Sequence, residues 1–129
     1  MTRYCFTMQL DPDQIETYRE RHAHVWPEML QALHDNDWRN YSIFLRPDGL
    51  VVGYVESDDL VAAQAKMEEL NVNRRWQAEM SRLFAGLNDA PPDENFIYLT
   101  EIFNLDEQLG RARGGGPRIL DESTDRHGQ

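Results

Sequence analysis

From Arg3 to Leu10 the chain alternates Tyr4, Phe6, Met8 and Leu10 with Arg3, Cys5, Thr7 and Gln9, a period of two that predicts a strand with one face in the core. Asp11, Pro12 and Asp13 follow, suited in turn to a helix cap, the first helical position and the positive end of the helix dipole. Ile15, Tyr18, His22, Val25, Trp26 and Met29 then recur mostly at steps of three and four, which gathers them on one broad helix face. Pro27 interrupts that pattern. The expectation is a kink, or one helix ending near Val25 and another opening at Pro27 and running to about Asn36.

Between Trp38 and Arg46, Tyr41, Ile43 and Leu45 fall on one face and Asn40, Ser42 and Phe44 on the other. Pro47, Asp48 and Gly49 make a turn into a second β-rich run, Leu50–Glu56, so a hairpin is expected. Ser57, Asp58 and Asp59 suit the cap of a helix drawn from Leu60 to about Leu87, with a break at Asn71-Val72-Asn73. Asp89–Asp93 reads as a loop and Asn95–Leu105 as a last strand. The order β-α-β-β-α-β predicts an α+β, ferredoxin-like domain with both helices on one face of a four-stranded antiparallel sheet. Its other face, rich in large side chains, needs a cover, either a second subunit or a ligand.

At 129 residues the chain holds one core, expected over residues 1–105. Residues 106–129, with Gly110, the triplet Gly114–Gly116 and few large apolar side chains, read as a flexible tail. The formal net charge of −10 repels phosphate backbones and anionic lipid, so neither nucleic acid nor a membrane is an expected partner. The apolar runs are too short for a bilayer span and no signal-peptide core is present, which reads as a cytoplasmic protein. The single cysteine, Cys5, lies in an apolar-rich stretch and reads as a buried, inert thiol.

Chemistry concentrates in the stretch from Tyr18 to Glu28. Tyr18 and His22 lie one helical turn apart, so a phenol and an imidazole share a face and could serve proton transfer. The same spacing also suits a core histidine satisfied by a backbone carbonyl beside a core tyrosine. His22 and His24 point to different sides of a helix, and no HExxH or paired-cysteine pattern completes a metal shell. Neither a phosphate-binding glycine loop nor a nucleophile elbow occurs. Trp26, Trp38, Tyr41 and Trp76 sit on separate elements and are individually ordinary core residues. Together with Tyr, His, Asn and Arg they suit a neutral carbohydrate, whose ring has an apolar C–H face and hydrogen-bonding rims.

Five segments in this order and spacing resemble the L-rhamnose mutarotases: Phe6–Gln9, Tyr18–His22, Val25–Met29, Asn40–Leu45, and Arg75-Trp76 with Met80. The likeness covers about residues 3–103, and Tyr-x3-His-x3-Trp-Pro-Glu is its specific part. It implies a dimeric α+β barrel, a homodimer that interconverts the anomers of L-rhamnopyranose, a monosaccharide, with no cofactor and no metal. It implies His22 as catalytic proton donor, with Tyr18, Tyr41 and Trp76 contacting the sugar. The family often has a second tryptophan where this chain has Gln77, so the rim contact and the preferred sugar are open at that position. In this reading imidazolium at His22 protonates the ring oxygen and Tyr18, Tyr41 or a water relays the hydroxyl proton, while Trp76 and Trp26 hold the apolar face. A related sugar such as L-fucose, a non-catalytic binding module and a cofactor-free oxygenase are the alternatives.

Overall fold

The computed structural model describes residues 1–84 and 95–114. Four strands, β1 (Thr2–Gln9), β2 (Arg39–Leu45), β3 (Leu50–Ser57) and β4 (Ile97–Leu99), form one antiparallel sheet in the order β2-β3-β1-β4. Because β3 runs antiparallel to both β1 and β2, those two are parallel to each other with β3 inserted between them. By the same logic β3 and β4 flank β1. Two interlocked split β-α-β units result, the topology expected from the element order. The expected helix end near Leu87 and the loop Asp89–Asp93 lie outside the described residues.

Each crossover is a pair of helices. A 3-10 turn at Pro12–Gln14, capped by the Asp11 side chain, leads into α1 (Ile15–Ala23), and α2 spans Pro27–Asp35. Trp26 has the extended backbone that a following proline imposes, so the chain breaks rather than kinks. In the second crossover α3 (Leu60–Glu68) is capped by Asp59, and α4 (Asn71–Ser81) starts at the asparagine where a break was expected. The interruption falls at Glu69-Leu70, one step earlier, which puts Asn73 inside α4.

The core lies between the helices and one sheet face. Phe6, Leu10, Val51 and Val55 from the strands are buried with Tyr18, Met29, Leu60, Ala63, Met67, Val72, Trp76 and Met80 from the helices. The alternation expected over Arg3–Leu10 places Phe6 of β1 and Leu10 just beyond it fully buried, while Tyr4 and Met8 pack against the core. Cys5 departs from its reading, since it is half-buried and sits on the outer face. That face carries two cross-strand rows, Phe44-Val52-Thr7-Ile97 and Ser42-Tyr54-Cys5-Leu99.

Two local devices shape the sheet. The turn from Arg46 to Gly49 closes through the Gly49 N–H donating to the Arg46 carbonyl at 2.9 Å. Gly49 has φ of +96°, and a Cβ there would sit 2.8 Å from the Gln9 amide and 2.9 Å from the Leu10 carbonyl, so only glycine fits. In β2 the register slips between Arg39 and Ser42, with Asn40 at φ of +49°. This bulge adds a residue on β2, at Asn40, while Tyr41 keeps the inner face it shares with Ile43 and Leu45.

Within the stretch 106–129 expected to be a flexible tail, residues up to 114 belong to a helix, α5 (Leu105–Gly114). The Arg3 guanidinium pairs with Glu101 at 2.8 Å and with Glu107 at 2.6 Å, tying β1 to the end of the sheet and to α5. Glycine content misleads here: Gly110 costs a helix only about 1 kcal/mol, and Asn104 caps α5 through the Glu107 N–H at 2.9 Å. Residues 115–129 lie outside the described ones.

Candidate active site

Between α1, α2, α4 and the inner sheet face lies a cavity of about 310 Å³, within the range of small-molecule sites. His22, Trp38, Tyr41, Asn73, Trp76 and Gln77 supply its polar and aromatic lining. Met29, Leu33, Ile43, Met67 and Phe96 are among its apolar walls. The lining is therefore mixed in the way a pyranose requires, with apolar surface interrupted by a few hydrogen-bonding groups.

His22 reaches the cavity from the last turn of α1 and is half-buried. Its Nδ1 lies 2.9 Å from the Tyr18 carbonyl oxygen. A carbonyl only accepts, so Nδ1 carries the proton and Nε2 is left with a lone pair when the ring is neutral. Burial pushes the imidazole below its ordinary pKa, against the smaller upward pull of that hydrogen bond. With Nδ1 paired, Nε2 is the ring nitrogen able to exchange a proton.

Tyr18 is one turn away, its ring centroid 4.1 Å from that of His22, but it is only 3% exposed and does not line the cavity. Burial pushes its phenol up, well beyond the ordinary tyrosine value. It packs edge-on to Phe84 and supports the imidazole by its ring and its carbonyl. Tyr41, on the inner face of β2, is the phenol in the cavity wall.

Trp76 faces the cavity from α4, edge-on to His22 at 5.4 Å. Trp26 lies behind it. Its ring meets Trp76 edge-on at 5.1 Å, the Arg75 guanidinium lies 5.5 Å over its face, and Arg75 also reaches Glu28 at 3.2 Å. Trp26 therefore buttresses the wall, and of the four aromatics expected together only Trp38, Tyr41 and Trp76 line the space.

Two polar residues complete the wall. Gln77, expected from its position, donates from Nε2 to Oδ1 of Asn73 at 3.3 Å. Asn73 was visible in the sequence only as a helix breaker, and it is buried. Trp38 carries a buried indole N–H with no hydrogen-bond partner among the described residues. Among the described residues no three His, Cys, Asp or Glu side chains cluster as a metal shell would. The arrangement can shuttle one proton at His22 and bind neutral hydroxyls around it.

A family model described as L-rhamnose mutarotase matches residues 3–105. An L-rhamnose mutarotase of Oceanobacillus iheyensis is 35% identical over 107 residues, covering 82% of this chain and all of that relative. One from Bacillus subtilis is 36% identical with the same coverage. The crystal structure of an L-rhamnose mutarotase from Formosa agariphila superposes with a TM-score of 0.69 at 26% identity, covering 81% of this chain and 99% of that one. The matched family segment ends where α5 begins.

Proposed function

The chain belongs to the L-rhamnose mutarotase family, whose members are isomerases, and from that premise we propose that it interconverts the α and β anomers of L-rhamnopyranose with His22 as the proton-transfer group. The observation that carries the mechanism is the pairing of His22 Nδ1 with the Tyr18 carbonyl, which fixes the tautomer and leaves Nε2 for the sugar.

In the forward direction Nε2 takes the proton of the anomeric hydroxyl as the bond between C1 and the ring oxygen breaks. The ring oxygen gains a proton and the aldehyde is released in open form. Rotation about C1–C2 presents the other face of the carbonyl. The C5 hydroxyl then adds to it and loses its proton, while imidazolium returns its own to the new anomeric oxygen. Protons balance over the cycle. Tyr41, in the cavity wall, gives the ring oxygen its proton and takes one back from the C5 hydroxyl on closure, and Tyr18, buried and off the cavity, serves as support. Positioned proton transfer of this kind contributes about 10²- to 10⁴-fold, which suffices for a reaction already feasible in water.

A homodimer forming the two-sheet barrel belongs to the same proposal. On the outer sheet face Phe44 is 61%, Ile97 65% and Leu99 51% exposed, and a second copy laid sheet to sheet would cover them. Saturation-exchange NMR on L-rhamnose, L-fucose and D-glucose tests the activity: faster anomer exchange for L-rhamnose is expected. No acceleration of any of them would leave the non-catalytic binding module as the better reading.

A further inference from the structure

Asn73, Trp76 and Gln77 stand at steps of three and four on α4 and all three line the cavity. This spacing puts them on one helix face. Asn73 is out of place there by composition, since it is 3% exposed and sits among the buried Val72, Trp76 and Met80. An amide in such surroundings is costly unless its polar atoms are paired, whereas a leucine of similar shape carries no such cost. Its Oδ1 accepts from Gln77 Nε2 at 3.3 Å, one turn further along, where side chains naturally meet. That bond uses one N–H of Gln77. The Gln77 carbonyl oxygen has no hydrogen bond among the described residues, and the residue is only half-buried.

We propose that Asn73 is a positioning residue that holds the Gln77 amide at the α4 wall so that it reads one hydroxyl of the bound sugar, and that this pair sets which pyranose the site prefers. The inference rests on the isomerase reading above and adds the basis of its substrate choice. A hydroxyl both donates and accepts, which matches the carbonyl and the remaining N–H of Gln77. A bare C–H or a methyl at the same place would strand the amide in a partly dry wall. Sites built to bond a hydroxyl discriminate strongly against analogues that lack it. The pair sits on α4, while His22 and Tyr41 come from α1 and β2, so substrate affinity and turnover depend on different elements.

The test measures KM and kcat for anomer exchange on L-rhamnose, on its analogues each lacking one ring hydroxyl, and on L-mannose, which adds a hydroxyl at the methyl carbon. In the wild type, loss of one particular hydroxyl is expected to raise KM about tenfold or more. Asn73→Leu should raise KM for L-rhamnose about tenfold, keep kcat within about twofold, and erase that discrimination. Asn73→Asp, which retains the acceptor, should stay closer to wild type, and Gln77→Leu should match Asn73→Leu with no further loss in the double variant. A folded Asn73→Leu protein with wild-type KM and discrimination overturns the proposal while leaving the mutarotase reading intact. Should Asn73→Leu not fold, unchanged discrimination in Gln77→Leu overturns it equally. A wild type that accelerates none of these sugars overturns the proposed function and this inference with it.

Discussion

Gly53 lies at the centre of β3, opposite Phe6 of β1, and its lack of a side chain leaves the space that the Phe6 ring fills. A Cβ at Gly53 would stand 2.3 Å from Phe6 Cζ, 2.5 Å from Cε1 and 2.9 Å from Cε2, against the roughly 3.5–4.0 Å of ordinary carbon contacts. The ring would have to move by more than about 1 Å. It has nowhere to go: Phe6 is fully buried and stacked on Phe96 at 3.8 Å with an interplanar angle of 13°. Gly53→Ala is therefore expected at the upper end of the roughly 1–3 kcal/mol that overpacking costs, lowering Tm by about 10 °C for a chain of this size. Because Phe96 lines the cavity, KM for the sugar should rise as well. Differential scanning calorimetry and anomer-exchange NMR measure the two effects. A double-mutant cycle sharpens the test. Phe6→Ala alone should cost about 3–5 kcal/mol, and adding Gly53→Ala to it should cost far less than Gly53→Ala does in the wild type, a coupling of about 0.5–3 kcal/mol. Additive losses, or a Tm for Gly53→Ala within about 2 °C of wild type, would refute the argument that Phe6 occupies the space a side chain needs.

His22→Gln should cut anomer exchange by about 10²- to 10⁴-fold with circular dichroism unchanged. The pH profile of kcat/KM should rise through a midpoint below 6.5, because burial lowers the His22 pKa and the neutral ring is the active form; a midpoint above 7 would contradict it. The same depressed pKa makes the unfolded chain bind the extra proton, so this residue's contribution to stability declines as pH falls below about 6.5. Ile97→Asp places a charge on the outer sheet face and should turn a dimer into a folded monomer in analytical ultracentrifugation, while an unchanged dimer would move the interface elsewhere. Arg21→Ala, which removes an exposed ion pair with Glu79, should change stability by less than about 1 kcal/mol in urea titration.

Much of the architecture was written in local patterns. Alternation in Arg3–Leu10 and Trp38–Arg46 set which faces of β1 and β2 enter the core, since side chains on a strand alternate regardless of partners. Asp11, Asp59, Pro27 and Gly49 act on their own neighbours through capping, a fixed φ and a positive φ, so these boundaries could be read before any packing was known. Tyr18 and His22 share a helix face for the same reason. Beyond that local reach the readings thinned. The bulge at Asn40, the seat of Asn73 beneath Gln77 and the retreat of Tyr18 and Trp26 behind the cavity wall all depend on distant segments closing around them. The helix at 105–114 was hidden by glycines whose effect a cap and the Arg3 bridges outweigh.

By itself, then, the linear chain determined periodicity, caps, turns and a set of side chains able to move protons and hold a sugar ring. Tertiary structure alone decided which of them meet in one cavity, and on which side of its wall each stands. It also decided the tautomer of His22 and the downward direction of its pKa, because desolvation and a carbonyl 2.9 Å away are properties of surroundings that no spacing encodes. Periodicity is a property of the backbone within a few residues; burial is a property of everything folded around them.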